Sequence, residues 1–246
     1  MKRQPKDMNP AKIVIKILNR GRFAMKWLSQ YNLMRCGCKQ ELYVSEKTGH
    51  KVILKKTEIQ SGVIEVGVLQ KLDGNAFPKL LDYNICGDEM HIALQFIEGN
   101  TFNLLREAKL CSFTANQLLL NALVSLDELH NSGFIHCDIK PENMIFDSQF
   151  HVYIIDFGTA QSVQYRRVRD EWRGSTLFMP PEALYTPETV DYRSDYYSLG
   201  KCIEMSIGHE LELLPYNVIT CLENLGAIIP NERPSDLSEW IKILKT

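Results

Sequence analysis

Four side chains near the middle of the chain have the types and spacing that transfer of a phosphoryl group requires. Asp138, Lys140 and Asn143 lie in one polar loop. Asp156 closes an apolar stretch and stands two residues before a glycine. One carboxylate can receive the proton of an acceptor hydroxyl, the amide and the other carboxylate can hold Mg²⁺ through oxygen, and the amine can neutralise charge on the phosphate. These residue types together indicate phosphoryl transfer.

The elements that precede this loop are mostly strands. Residues 41–56 predict a β-hairpin with its turn at 47–49, and two further strands are expected around Gly87, the second ending at residue 97. Between the two pairs, residues 61–72 predict a short helix. The first third of the chain is therefore expected to be a sheet with one helix.

The elements around and after the loop are mainly helical. Thr114 and Gln117 have the spacing of a capping box, and a helix with apolar residues at helical spacing is predicted from there to Gly133. Short strands are predicted at 134–135, 144–146 and 152–155, and further helices at about 193–208 and 237–244. The pattern predicts an α+β fold, with a small strand-rich lobe, a hinge near 97–100 and a larger, mainly helical lobe.

Three segments of the chain resemble the sequence signatures of the eukaryotic protein kinase family. In chain order they are Phe134–Asn143, Ile154–Gly158 and Gly174–Glu182. They are similar to the catalytic loop, the magnesium-binding Asp-Phe-Gly and the Ala-Pro-Glu region of that family. The resemblance extends from about residue 33 to the C-terminus. It implies a two-lobed protein-kinase-like fold, with an N-lobe at about 31–97, a C-lobe at about 98–246, and residues 1–30 as a basic extension.

The resemblance implies a role for each of the four residues. Asp138 would position and deprotonate the acceptor hydroxyl, and Lys140 would contact the γ-phosphate. Asn143 and Asp156 would hold Mg²⁺, or Mn²⁺ in its place. Lysine at position 140, together with Ser175 in the substrate-facing segment, is the pattern of serine/threonine kinases rather than tyrosine kinases. The implied reaction is transfer of the γ-phosphate of Mg-ATP to a hydroxyl of a protein substrate.

The resemblance also implies an ATP-binding set. Lys55 corresponds to the lysine that pairs with the α- and β-phosphates, and Glu65 to the helix glutamate that holds this lysine. Leu94 would be the gatekeeper. The other residues implied to contact ATP are Gly37, Leu42, Ile53, Gln95, Ile97 and Ile145.

Five further residues correspond to supporting positions of the family. Gly174 and Ser175 would belong to the segment that receives the substrate. Asp195 would anchor the catalytic loop from below, and Arg233 would pair with Glu182. These last three residues would support the site structurally without touching ATP.

The sequence departs from the family pattern at four points. Gly37 is the one glycine where the family usually has three, and Ile53 stands where an alanine is usual above the adenine. Only ten residues separate Lys55 from Glu65, and Cys137 replaces an arginine that normally meets a phosphate on the activation segment. We therefore expect no dependence on phosphorylation of that segment.

Three functions fit these residues. An active serine/threonine kinase is favoured because a scaffold does not need all five of the residues Lys55, Asp138, Lys140, Asn143 and Asp156. A pseudokinase or scaffold is the main alternative, favoured by the poor glycine loop and by Ile53. A kinase for a small molecule is the third, and the intact segment Gly174–Glu182 argues against it, because in the family that segment receives a peptide.

Composition sets the expected partners and compartment. The net charge of −2 over 246 residues gives no reason to expect nucleic-acid binding, and no apolar run is long enough for a membrane helix. Seven scattered cysteines and a start without the apolar core of a secretory signal favour an intracellular location, cytoplasmic or nuclear. Residues 1–30 carry +7 and the rest of the chain −9. That extension either packs on the domain, which we favour, or contacts a membrane surface or an acidic partner. The sequence does not indicate the oligomeric state.

Overall fold

The computed structural model describes residues 26–107, 111–164, 174–207 and 214–246, and in these ranges it is an α+β fold. Its strands β1–β10 are Tyr31–Cys36, Gln40–Ser45, Lys51–Glu58, Leu80–Cys86, Glu89–Gln95, Asn100–Thr101, Phe134–Ile135, Met144–Phe146, Val152–Ile154 and Gln161–Ser162. Its α-helices α1–α6 are Ile59–Leu69, Ser112–Asn131, Pro181–Tyr185, Tyr192–Ile207, Tyr216–Leu225 and Ser238–Leu244. Short 3-10 helices join several of them. The predicted fold class is confirmed.

The chain divides into two compact units. The first reaches Lys71 and resumes over Pro78–Phe96, and the second comprises Leu72–Phe77 and the chain from Ile97 onward. The basic extension predicted at 1–30 lies, up to residue 25, outside the described residues. In the described part of the chain, no helix is both long and apolar enough to cross a membrane.

The first unit is built on an antiparallel sheet with strand order β1-β2-β3-β5-β4. The predicted hairpin at 41–56 is β2 and β3, and its turn contains Gly49 at a φ of +69°. Gly87 has a φ of +62° in the turn between β4 and β5. Both turns therefore use the left-handed conformation that glycine adopts without steric cost.

The two faces of β3 have different roles. Val52 and Leu54 are buried with Ala93 on one face, where Leu28, which precedes β1, packs against them. Because side chains alternate along a strand, Lys55 projects from the opposite face. One strand thus contributes to an apolar core on one face and carries Lys55 on the other.

Helix α1 packs against the sheet at very short range. A Cβ added to Gly62 would lie 2.8 Å from Cβ of Met90 and 2.7 Å from its sulfur. Met90 itself is fully buried in β5. The absence of a side chain at Gly62 therefore sets how closely α1, and with it Glu65, approaches the sheet.

The second unit is organised around α2, the longest helix among the described residues. Its predicted apolar face is buried, and the residues concerned are Leu119, Ala122, Leu123 and Leu126. Two polar side chains attach the helix to the hairpin of β8 and β9: Asn121 donates to the carbonyl of Phe150 at 2.8 Å, and Ser125 donates to that of Val152 at 2.6 Å. The helix thereby holds the turn of the hairpin and the start of β9.

Helix α1 does not have the predicted bounds of 61–72. It follows β3 directly, begins at Ile59 and ends at Leu69. Glu58 at its N-cap makes no side-chain capping bond, so the sequence carries no start signal of the usual kind. Leu72 belongs to the second unit.

The capping box predicted at Thr114 and Gln117 is wrong. Helix α2 begins at Ser112, with Cys111 at the N-cap and no side-chain cap. Thr114 is already the third helical residue, and its hydroxyl lies 3.2 Å from Sγ of Cys111. This contact lowers the pKa of the exposed Cys111 thiol.

We expect Gly62→Ala to destabilise the protein by about 1–3 kcal/mol, because the new methyl group would overlap Met90. In a helix without such a neighbour, the same change stabilises by roughly 0.5–1 kcal/mol. Urea unfolding shows whether Gly62→Ala lowers or raises the free energy of unfolding. In a double-mutant cycle, Met90→Ala removes the sulfur at 2.7 Å but keeps Cβ at 2.8 Å, so the two changes should be partly non-additive, and strict additivity would contradict the contact with the Met90 sulfur.

Candidate active site

The loop between β7 and β8 brings three of the predicted residues together. Lys140 Nζ lies 2.6 Å from Oδ2 of Asp138. The amide nitrogen of Asn143 donates to the backbone carbonyl of Asp138 at 2.9 Å and to its Oδ2 at 3.2 Å. The Asp138 side chain is only 10% exposed. The loop therefore surrounds one carboxylate with an amine and an amide.

Asp195 on α4 holds the backbone of this loop. Its two carboxylate oxygens accept the N–H groups of His136 at 2.7 Å and of Cys137 at 2.9 Å. The Nε2 atom of His130 lies 2.9 Å from Oδ2. Asp195 is fully buried, so these charge-assisted bonds are sheltered from water. Cys137 has a φ of +65°, a strained conformation for a residue with a side chain, and the bond to its N–H helps to hold it.

His136 is held in one neutral tautomer. Its Nδ1 accepts the backbone N–H of Asp138 at 3.2 Å, and its Nε2 lies 3.0 Å from the carbonyl of Ile155, to which it must donate. Burial lowers the pKa of His136, although the charge of Asp195 acts in the opposite direction. The ring thus links the loop at 138 to the strand that leads to Asp156.

Asp156 follows β9 and has a φ of +67°. Its Oδ1 accepts the N–H of Gly158 at 3.4 Å, and the N–H of Ile155 donates to the carbonyl of Asn143 at 3.0 Å. Phe157 is fully buried, with its ring centroid 5.2 Å from that of His136. The backbone around Asp156 is therefore attached at two places to the loop that contains Asp138.

The predicted substrate-facing segment reaches the same carboxylate. The backbone N–H of Ser175 donates to Oδ1 of Asp138 at 2.7 Å. Gly174 and Ser175 are both half-buried. Sequence reasoning did not predict this bond, because it uses a main-chain group that every residue except proline possesses.

The predicted pair of Glu182 and Arg233 is a buried bidentate ion pair. The two N–O distances are 2.6 and 2.8 Å, and the Arg233 side chain is completely buried. All five guanidinium N–H groups have acceptors, the others being the carbonyls of Ala227, Arg193 and Ile228. Ser194 also donates to Glu182, a partner that sequence reasoning missed. This network secures the end of the segment Gly174–Glu182.

In the first unit, Lys55 and Glu65 form a buried ion pair. Nζ of Lys55 lies 2.6 Å from Oε2 of Glu65, and the side chains are 9% and 1% exposed. The ten-residue spacing between them is sufficient because α1 starts directly after β3. An ammonium group at this position is oriented by a carboxylate rather than by solvent.

The sheet places three of the predicted adenine-side residues on the face that carries Lys55. Ile53 is paired with Leu42 on β2 and with Leu94 on β5. Directly paired residues of antiparallel strands project to the same side. The three apolar side chains therefore form a continuous row across the sheet.

The remaining predicted ATP contacts are distributed along both units. Gly37 lies in the turn between β1 and β2, where its N–H donates to the carbonyl of Gln40 at 2.9 Å. Gln95 ends β5, and its N–H donates to the backbone carbonyl of Lys79 at 2.9 Å. Ile97 is the residue at which the second unit resumes, and Ile145 lies in β8, paired with Tyr153. Their roles in binding ATP stay predictions.

Comparisons with known proteins agree on one family. Residues 32–219, well over half of the chain, match the family described as the protein kinase domain. Serine/threonine-protein kinase Sgk1 of Gallus gallus is 26% identical over 199 residues, which are 79% of this chain and 45% of that protein. Serine/threonine-protein kinase MST20 of Pyricularia oryzae is 30% identical over 162 residues, covering 63% of this chain and 17% of that protein. The chain spans less than half the length of these relatives.

We expect the pH dependence of folding to report the neutral state of His136. An unfolded histidine binds a proton below about pH 6.5, whereas the lowered pKa keeps the folded ring neutral. Since the unfolded state then binds more protons, stability should fall as the pH decreases below about 6.5, by up to about 1.4 kcal/mol per pH unit.

Urea unfolding between pH 7.5 and 5 tests this in the wild type, in His136→Asn and in His50→Gln. His50 is exposed and serves as the matched control. The slope of the unfolding free energy against pH should become shallower only in His136→Asn. An identical slope in all three proteins would contradict the prediction, because it would show that His136 binds as many protons in the folded state as in the unfolded state.

Proposed function

The chain belongs to the protein kinase family, and we propose that it is an ATP-dependent serine/threonine kinase that transfers the γ-phosphate of Mg-ATP to a hydroxyl of a protein substrate. The observation that carries the proposal is the Asp138 carboxylate, which has Lys140 at 2.6 Å and Asn143 at 3.2 Å. A base, a cation and an amide in one loop supply the groups that this reaction needs.

We assign the proton transfer to Asp138. A substrate hydroxyl at this carboxylate would donate its hydrogen bond to a carboxylate oxygen and lose its proton there as its oxygen bonds to phosphorus. Lys140, already adjacent to the carboxylate, is placed to offset charge on the transferred group. Asp195 and His136 keep the loop backbone in the geometry that positions Asp138.

The donor set also fits a bound Mg²⁺. Both side-chain hydrogen bonds of Asn143 use the side-chain amide nitrogen. Its side-chain amide oxygen is therefore the atom that a hard cation would bind. Asp156 would supply a carboxylate oxygen. Two protein oxygens satisfy only part of an octahedral shell, and phosphate oxygens and water would complete it. When bound, the ion would neutralise phosphate charge.

Lys55 is proposed to contact the α- and β-phosphates. Its ion pair with Glu65 fixes the ammonium group in a nearly dry environment. The row formed by Leu42, Ile53 and Leu94 is the proposed apolar surface for adenine. The extra bulk of Ile53 relative to alanine should weaken nucleotide binding without abolishing it.

Serine or threonine is the proposed acceptor residue. Lys140 follows the pattern of serine/threonine kinases, and the relatives described above carry that designation in their names. The proposed substrate class is therefore a protein that presents a serine or threonine hydroxyl to Asp138.

A pseudokinase is the second candidate. The turn at 37–39 favours it, because Gly37 is the one glycine of that loop and its N–H already donates to Gln40. Backbone N–H groups in such a loop would otherwise be available for phosphate oxygens. Nucleotide binding without turnover would favour this candidate.

We expect the wild type to transfer labelled phosphate from Mg-ATP to a generic basic protein. Asp138→Asn should reduce the rate by about 10²–10⁴-fold, the range expected for a general base. Lys55→Met and Asp156→Ala should also reduce it by orders of magnitude, because each removes a proposed contact to phosphate or metal. Phosphoamino-acid analysis tests the choice of serine and threonine.

The matched control is Asp88→Asn, the same chemical change at an exposed turn residue. It should retain wild-type transfer. A thermal shift with ATP separates the two candidates, since a shift without any transfer by the wild type supports the pseudokinase. Equal rates for the wild type and Asp138→Asn would remove Asp138 from the mechanism.

We expect activity to be independent of phosphorylation of the activation segment. Cys137 replaces the arginine of the family, its side chain is buried, and its Sγ lies 3.8 Å from the carbonyl of Ile135. It offers no cation to a phosphate group. Pre-treatment with a protein phosphatase should therefore leave transfer unchanged, with a phosphorylated reporter protein as the control for phosphatase activity. Loss of transfer after treatment would contradict this interpretation.

A further inference from the structure

Two exposed cysteines flank Gly37 in the turn between β1 and β2. Cys36 is the last residue of β1, Cys38 follows the glycine, and both thiols are free. We propose that these two cysteines are a reversible modification site, which closes to a disulfide across Gly37 when a peroxide is present. The site follows from the geometry of the turn alone, and its effect on ATP rests on the proposed function.

The backbone keeps the two thiols within bonding reach. Two Cα atoms that are two residues apart are separated by at most about 7 Å, and a disulfide joins Cα atoms about 4.4–6.8 Å apart. Side chains two residues apart project to the same side of an extended chain. A slight bend at Gly37 is therefore sufficient, and glycine accepts a wider range of φ and ψ than any other residue.

The other cysteines do not offer an equivalent pair. Cys36 and Cys38 are the one pair of cysteines in the chain that a single residue separates. Three of the other five are buried, namely Cys137, Cys202 and Cys221. Cys86 is exposed, but it ends β4, which lies four strand positions from β1 in the sheet, or about 19 Å. Cys86 is therefore a matched control that cannot reach the proposed site.

The neighbours of Cys36 tolerate the loss of its thiol proton. Its Sγ donates to Oε1 of Glu41 at 3.8 Å. Nζ of Lys56 contacts the same oxygen at 2.6 Å, and the hydroxyl of Tyr43 donates to Oε2 at 2.9 Å. Glu41 therefore keeps two donors when the thiol becomes part of a disulfide.

The oxidation balances with the peroxide as the oxidant. One thiolate attacks a peroxide oxygen, the O–O bond breaks, and a sulfenic acid forms together with water or an alcohol. The second thiolate attacks the sulfenic sulfur, the S–S bond forms, and hydroxide leaves and takes up a thiol proton as water. The two sulfurs lose two electrons, which the peroxide accepts. Because a disulfide in so small a ring is strained, a thiol reductant should reverse the modification.

Closure of the disulfide changes the backbone at Gly37. In the reduced turn the N–H of Gly37 donates to the carbonyl of Gln40 at 2.9 Å, and an added Cβ would lie only 3.1 Å from that oxygen. A bend at Gly37 therefore disrupts this bond. The far side of the turn stays attached, because the N–H of Lys56 donates to the carbonyl of Lys39 at 2.8 Å. The movement is thus confined to residues 36–38, which include the glycine that the family pattern assigns to ATP.

Peptide mass mapping tests the disulfide without any assay of activity. The full chain is treated with hydrogen peroxide, denatured, alkylated and digested with trypsin, which cleaves after Arg35 and Lys39 and releases both cysteines in one short peptide. This peptide should lose two hydrogens and resist alkylation, while Cys86 stays alkylated. Dithiothreitol should restore alkylation of Cys36 and Cys38. Alkylation of either one after peroxide, or a disulfide to any other cysteine, would overturn the proposal.

Titration with Mg-ATP, followed by thermal shift, tests the effect on the nucleotide. The Kd of the wild type should rise about fivefold after peroxide, the effect of one ordinary hydrogen bond, and should return with dithiothreitol. Cys86→Ser should behave like the wild type, whereas Cys38→Ser should keep its Kd. An unchanged Kd in the oxidised wild type, or equal weakening in Cys38→Ser, would overturn the effect on ATP. If the reduced protein does not bind ATP, the proposed function fails, and the mass map still decides the disulfide.

Discussion

The geometry of the proposed site depends on the buried carboxylate of Asp195. It accepts two consecutive backbone N–H groups, those of His136 and Cys137, and a buried carboxylate needs such donors to offset its desolvation. The positive φ of Cys137 then sets the direction in which the chain continues to Asp138. The bond from Asp195 to the Cys137 N–H helps to hold this strained residue, so the direction of Asp138 depends on both.

A second constraint operates through buried ion pairs. Lys55 with Glu65, and Arg233 with Glu182, are nearly or fully excluded from water. Such pairs add little net stability, but removal of one partner leaves a buried charge at a cost of about 3–5 kcal/mol. Their main effect is therefore to fix geometry. One fixes an ammonium group on a sheet face, and the other fixes the end of the segment Gly174–Glu182.

The sequence allowed much of the fold to be predicted, for physical reasons that differ between elements. Helix α2 and the short strands were predictable because their apolar residues follow helical or alternating patterns, and the turns at Gly49 and Gly87 because glycine favours a positive φ. The ends of α1 could not be predicted, since β3 leads into the helix without a side-chain cap. Helices α3 and α5 were also missed. The contacts of His130 and Ser194, and the N–H of Ser175, could not be predicted because they depend on tertiary approach.

The departures from the family pattern have unequal structural consequences. The side chain at 137 is buried, and the loop backbone at this residue is held by Asp195 through its N–H group. Replacement of arginine by cysteine therefore leaves the position of Asp138 intact and removes only a group for binding phosphate. Gly37 and Ile53, by contrast, lie at positions where the family pattern implies direct contact with the nucleotide. Any loss of function in this chain should therefore arise from weak nucleotide binding rather than from a displaced base.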